Sequence, residues 1–580
     1  MSKKLLVLII LLSNLMFSLG HIQIEGKKPM IDNETDTNSS ELKISENPPT
    51  NITTLHIINF TSNYSYKMAT LSLQGILNKD DPTLFGVNDE NDRFWCNYIS
   101  NRLEPKKTSY YNNFSSLIET FKDNITGSIV YNPDNLHTRN IATPICGIEN
   151  ALLADPGLAE YLNDEFAIPI LDGLDFSNKW DENEEYLAMY EWFYENYLKK
   201  GKLNEKILAL QGPERADLLD LLVAKKIFTL WDINTLESNN KELDFISEIF
   251  NFYPPNTPIL GYPYATGPNE GNTVRLISEA GHYLVASDFS SNLAFSEHLN
   301  FGTSEYSQNR DWENNPPELK NTLYITFLIS DGDNLQYMEN RMLDIWRQKN
   351  NDNFPIGWSI SPLALKYAPH LIDFYYTNAS SSDYFVAGPS GAGYVYPDVM
   401  NSKAYPEFLS LTSKYMDNLD LAEIWSLGLS KPEIIADMAR RTSSQALFVG
   451  YAEKVWDSVR LTEHNVPIFT MFKCGTEAPE LESCLENILI WNQFQKPLFL
   501  PIWIHCWSQD YQYVKDVVEY VEKNNLDIEF VRPDQFVYLY SQNLFQASIN
   551  LVSLGLTAGI FIFLGLASYS LWKKKEVLSR

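Results

Sequence analysis

The stretch "YITFLISDGDNLQYM", Tyr324 to Met338, begins as a buried strand and ends as an acidic corner. A mostly apolar, partly β-branched run empties into Ser330-Asp331-Gly332-Asp333-Asn334. β-Branched and aromatic residues suit a pleated, packed surface. Gly332 allows a bend that other residues resist. Two acids one residue apart at a strand end can point into one cavity. The plainer reading is an aspartate N-cap and Asx-turn that starts the helix at Asn334. A calcium loop is a third, but the rest of an EF-hand pattern is missing.

The region around this stretch has a regular rhythm. Strands are expected at 323–330, 356–360, 384–388, 421–427, 446–450, 467–472, 498–504 and 528–531. Amphipathic or capped helical segments separate most of them. About eight strand–helix repeats in ~220 residues match the size and order of a (β/α)8 TIM barrel. A doubly wound open sheet would give the same string. We expect this TIM-barrel-like domain to span 316–541. Upstream, shorter strands (56–60, 128–131, 207–210, 227–231, 258–261) alternate with helical patterns, which predicts an open, mostly parallel α/β domain over 51–315. The Asn/Pro-rich segment 309–317 is the boundary.

Barrel enzymes place their active sites at the C-terminal ends of the strands. Acids, aromatics and a histidine are expected there: Asp331, Asp333, Asn334, Trp358, Glu423, Glu453, His505 and Trp507. Glycoside hydrolysis needs a proton donor and a second carboxylate, about 5–5.5 Å apart for retention or about 6.5–9.5 Å for inversion. Asp331 and Asp333 are the expected acidic centre, with Glu423 as the distant catalytic partner. Ser390, Tyr394 and Tyr396 sit in the glycine-rich run 388–397, where an aromatic ring can stack on a sugar face. The bland alternative is a tight turn with two core tyrosines. His505 and the tryptophans are, on general grounds, more often core than ligand.

The ends and composition set the context. The chain has 580 residues and a net charge of −29, which excludes tracking a phosphate backbone, so no nucleic-acid partner is expected. Lys3-Lys4, an apolar run and Ser18-Leu19-Gly20 read as a signal peptide over 1–20. A polar disordered linker (21–50) follows. The uncharged run 547–572 is long enough to span a bilayer, and Lys573-Lys574-Lys575 place the tail 573–580 in the cytoplasm. The expected localisation is a single-pass type I membrane protein at the cell surface or facing the secretory-pathway lumen. Asn33, Asn38, Asn51, Asn59, Asn63, Asn113, Asn124 and Asn378 sit in glycosylation sequons. Of five cysteines, Cys474 and Cys484 flank a short loop and form the favoured disulfide; Cys96 with Cys146 is the other candidate. No cysteine–histidine spacing matches a zinc site, and no metal or cofactor is expected.

"GAGYVYP", Gly391 to Pro397, fits the motif that names the GxGYxYP putative glycoside hydrolases, which this chain resembles. "SDGDN", 330–334, and "LSLQGILNKDDPTLF", 71–85, resemble segments of that family's C-terminal and N-terminal domains. The resemblance spans roughly 51–541. It implies a carbohydrate-related role, with Asp331, Asp333, Asn334, Tyr394 and Tyr396 at matching positions, and assigns no acid, base or nucleophile. The leading expectation is a membrane-anchored extracellular glycoside hydrolase that acts on a glycan through paired carboxylates. The alternatives are a carbohydrate-binding or adhesion ectodomain without catalysis, and a metal-dependent polysaccharide deacetylase.

Overall fold

The computed structural model describes residues 48–547, apart from 181–185, 232, 234, 236–239, 264–267, 304, 331–333, 350–352, 451–458, 462–465 and 474–480. Three small parallel sheets come first. β1 (Thr54–Asn59) lies between β2 (Leu84–Val87) and β3 (Lys107–Tyr111). β4 (Ser128–Val130) lies between β5 (Leu152–Ala154) and β6 (Ile170–Asp175). In the third sheet β7 (Leu208–Leu210), β8 (Phe228–Leu230), β9 (Pro258–Gly261) and β10 (Tyr283–Ala286) run in the order β10-β9-β7-β8. The upstream half is therefore α/β with parallel pairing, but divided among three sheets.

The fourth sheet is larger and curls. β11 (Leu323–Ser330), β12 (Ile356–Ile360), β13 (Asp383–Ala387), β14 (Glu423–Ser426) and β15 (Ala446–Val449) pair in sequence order, all parallel. β16 (Val459–Leu461) adds antiparallel to β17 (Pro467–Thr470), which pairs with β15. One residue later β18 (Phe472–Lys473) pairs with β19 (Leu498–His505), and β19 pairs along all eight residues of β11. The path thus returns to its first strand. The expected eighth strand, β20 (Ile528–Phe530), does not complete the ring between β19 and β11. That edge is already occupied, so β20 pairs with Leu323–Ile325 on the other edge, ahead of β12 at Phe327–Ile329.

Alternation along the strands sorts the side chains, because successive residues point to opposite faces. Tyr324 and Leu328 join Tyr384, Val386, Trp425, Phe448, Phe469 and Trp503 in the inner core. Ile325, Phe327 and Ile329 join Trp358, Phe385, Ile424 and Leu447 in the outer core under the helices. Both faces are covered, which is why the strands read as continuous apolar runs. The outer core also holds Leu55, Ile57 and Val285 from the upstream sheets, so apolar packing crosses the 315–316 boundary.

Among the described residues no helix is long and apolar enough to cross a membrane. The leader 1–20 and the apolar run, from residue 548 on, lie outside the described residues.

Candidate functional site

Two strand ends from different sheets meet. β10 runs into Ser287-Asp288-Phe289-Ser290-Ser291-Asn292; β11 ends at Ser330, and a helical segment starts at Asn334. Three contacts fasten them in register. The Ala286 N–H donates to Asn334 Oδ1 at 3.1 Å, the Phe289 N–H to Gln336 Oε1 at 3.3 Å, and the Ser291 N–H to Glu339 Oε1 at 3.2 Å. The Asn340 amide returns a bond to the Phe289 carbonyl at 3.1 Å. Asn334 has φ of 41°, a left-handed conformation that asparagine tolerates better than most residues.

This seam holds Asp288, which is 2% exposed. Neither of its carboxylate oxygens has an aligned hydrogen-bond partner, and Arg215 and Gln336 are its polar neighbours. Burial pushes its pKa up from 3.8 to about 7; Arg215 opposes that shift, and Asp217 adds to it. Arg215 also stacks on Phe289, its guanidinium carbon 4.2 Å from the ring centre. Phe289 is 47% exposed, a fixed aromatic face beside a buried acid.

Several expected residues gather at the same rim. Ser330, the last residue of β11, pairs in register with His505, the last of β19. His505 Nδ1 lies 3.1 Å from Ser508 Oγ, and Trp507 is 44% exposed. Arg341 donates to the Cys506 carbonyl at 2.7 Å, tying this turn to the helical segment that begins at Asn334. Asp331, Asp333 and Glu453 lie outside the described residues.

Others are placed elsewhere. Glu423 opens β14. It is fully buried among Tyr384, Arg310 and Asp534, and burial pushes its pKa from 4.5 to about 8. Trp358 faces outward, donating to Asp383 Oδ1 at 2.9 Å and packing on Trp346. It is a core residue and not part of a sugar platform, because the inward positions of β12 fall on its neighbours Gly357 and Ser359.

The glycine–tyrosine motif joins the two sheets. Tyr394 pairs with Leu284 of β10 through two backbone hydrogen bonds of 2.8 and 3.0 Å. Its hydroxyl donates to Glu270 at 3.2 Å, and its ring stands edge-on to Tyr396. Tyr394 is 3% exposed, so the core-tyrosine reading fits it better than sugar stacking. A Cβ on Gly393 would lie 2.5 Å from the Tyr283 ring, and one on Gly391 would lie 2.6 Å from Thr412 at a φ of +109°. Ser390, itself at φ 59°, donates to the Val395 carbonyl at 2.8 Å and closes the turn. The motif holds β10, and β10 carries Asp288.

Cys484 is disulfide-bonded; Cys474 lies outside the described residues. Cys96 and Cys146 are both free, which overturns their pairing as the alternative. Asn51, Asn59, Asn63, Asn113, Asn124 and Asn378 are all exposed; Asn33 and Asn38 lie outside the described residues. No group of three metal-ligating side chains converges among the described residues.

The missed residues are Asp288, Phe289 and Arg215. Their signal was present: Leu284-Val285-Ala286-Ser287-Asp288 has the same apolar-run-then-Ser-Asp form as the stretch ending at Asp331.

Comparison with known proteins gives three family matches. Residues 125–201 match the "GxGYxYP_N second domain", 205–297 the "GxGYxYP third domain" and 321–541 the "GxGYxYP putative glycoside hydrolase C-terminal domain". A crystal structure of "a putative hydrolase from Bacteroides thetaiotaomicron" shares the fold, with a TM-score of 0.75 at 23% identity over 86% of this chain and 96% of that one. No curated protein sequence matches.

Proposed function

The chain belongs to the GxGYxYP putative glycoside hydrolase family, and from that premise we propose that it cleaves a glycan at the seam between the β10 and β11 ends. One observation carries the assignment: Asp288 is a buried acid, without an aligned partner, on a turn bonded to the helical segment that follows Asp331 and Asp333 in the sequence. An acid kept protonated to about pH 7 suits donation to the glycosidic oxygen. The second carboxylate comes from Asp331 or Asp333, either attacking the sugar directly or activating water. Asn334 ties the segment after β11 to β10, Phe289 stacks on a sugar ring, and His505 and Trp507 contact the glycan from the end of β19.

The setting is extracytoplasmic, with a leader at 1–20 and a bilayer anchor at 547–572. Six exposed sequon asparagines are consistent with that setting.

The test is product release from a glycan panel by the full-length protein and by Asp288→Asn, Asp331→Asn and Asp333→Asn. Turnover by the wild type and its loss in Asp288→Asn and in at least one corner variant support the proposal. Glycan binding that survives in Asp288→Asn, with no product from the wild type, would instead make the protein a carbohydrate-binding ectodomain.

A further inference from the structure

One turn beyond Gln336, the seam contains a second pair of acids. Asp92, on the helix Glu90–Leu103, and Glu339 both contact the hydroxyl of Ser291. The Glu339 contact is 3.1 Å. Further donors to the pair are the Ser291 N–H to Glu339 Oε1, the Asn88 N–H to Asp92 Oδ2 at 2.8 Å, and the Asn292 amide to Asp92 Oδ1 at 3.4 Å, and the Ser290 hydroxyl also faces Glu339. Asp92 and Glu339 are 5% and 3% exposed.

A hydroxyl has one hydrogen. Ser291 donates its hydrogen fully to only one of these acids; the other makes a full hydrogen bond to the hydroxyl only by donating to its oxygen, which requires a proton on that acid. The charges that act on the pair do not favour ionising both: Asp89 and Asp217 face Asp92, and Asp92 faces Glu339. Two carboxylates sharing one site cannot both ionise cheaply.

We infer that Asp92 and Glu339 hold one proton between them through Ser291, and that this proton fastens the turn carrying Asp288 to the helical segment beyond Asn334. Asp92 and Glu339 are thus positioning residues. They act on the site through Ser291, three residues after Asp288, as Glu339 is three residues after Gln336. The three-way contact also joins segments matched to different parts of the chain: the helix containing Asp92, the turn after β10 and the segment after β11. Loss of the proton would place like charges on either side of one hydroxyl and release the turn. The arrangement sets an acidic working range. The inference rests on the proposed reading only for what the held turn carries; the staple itself stands without it.

The sign follows from the direction of the shifts. Burial raises Asp92 from 3.8 to about 6 and Glu339 well above its ordinary value. Stability from the pair is fully present below the ordinary carboxylate range and is lost as pH rises through about 6 and beyond.

The experiment is thermal unfolding of the full chain between pH 5 and pH 8, for the wild type and Glu339→Gln. Glutamine keeps the shape and needs no proton. The expected result is a wild-type melting temperature that falls with pH and a smaller fall in Glu339→Gln. Infrared spectra at pH 6 provide a second readout, because a protonated-carboxyl band present in the wild type should shrink in the variant. If Glu339→Gln does not fold, Ser291→Ala is read the same way and should lose the same band. Curves with equal pH slopes, or an unchanged carboxyl band, would overturn the inference. Neither readout depends on whether the protein cleaves a glycan, so its failure and that of the proposed activity are distinguishable.

Discussion

The side chain of Asn334, just past the end of β11, accepts a hydrogen bond at 3.1 Å from the N–H of Ala286, the last residue of β10. The two strands belong to different sheets, and each ends in Ser-Asp. This amide is one of the bonds that hold the exit of β10 against the segment after β11. Cutting the chain at the 315–316 boundary would separate them.

Asp288→Asn removes the proposed proton donor while keeping its shape. Cleavage of a responsive glycan should fall by ~10²–10⁴-fold, the usual contribution of a positioned general acid. Stability should move the other way at neutral pH. The wild-type acid is raised from 3.8 to about 7, so its burial costs stability progressively as pH climbs across that window. The variant should unfold at a higher temperature than the wild type at pH 8, and the gap should close toward pH 4.

Glu423→Gln separates the two buried acids. Glu423 is acted on by Asp534, Tyr384, Arg310 and Asp420, none of them in the β10–β11 seam, so glycan cleavage should be unchanged. Its pKa is raised from 4.5 to about 8, so the wild type loses stability as pH rises through that range and the variant does not. Melting curves taken from pH 5 to pH 9 would show the variant's flatter slope.

Gly393→Ala tests the motif as a join between sheets. The added carbon would meet the Tyr283 ring at 2.5 Å and the Leu284 carbonyl at 3.1 Å. Overpacking of this kind costs ~1–3 kcal/mol, read as a lower denaturation midpoint. Tyr394→Phe, which loses the hydroxyl contacts to Glu270 and Tyr396, should cost ~1 kcal/mol. Equal and negligible effects would remove the motif from its place as a strut for β10.

Phe289→Ala should weaken glycan binding severalfold with little change in melting temperature, because the ring is 47% exposed. An aromatic contact is worth ~0.5–1.5 kcal/mol beyond its buried area. Titration of the Asp288→Asn background with the same glycan measures the loss without turnover.

Much of the curled sheet was legible. β11 and β12 fall on their expected residues, and the other expected strands differ by a residue or two at their ends. Long β-branched runs separated by amphipathic helices leave little choice. What the sequence could not convey was which face of each strand points inward. Both faces of a covered parallel sheet are apolar, so Trp358 and Glu423 showed alternation but not direction. The upstream strands are shorter still, and β10, at four residues, went unread although its Ser287-Asp288 exit matched the opening stretch. The partner of Asp331 and Asp333 was sought within the barrel-like half, while the acid proposed here, Asp288, comes from the other.

The most direct measurement is product analysis after incubating the full-length protein with one cleavable glycan, alongside Asp288→Asn. New reducing ends from the wild type, with a rate that falls as pH rises above about 7, and none from the variant, is the predicted result. Equal release by both proteins would contradict a site built on the β10–β11 seam.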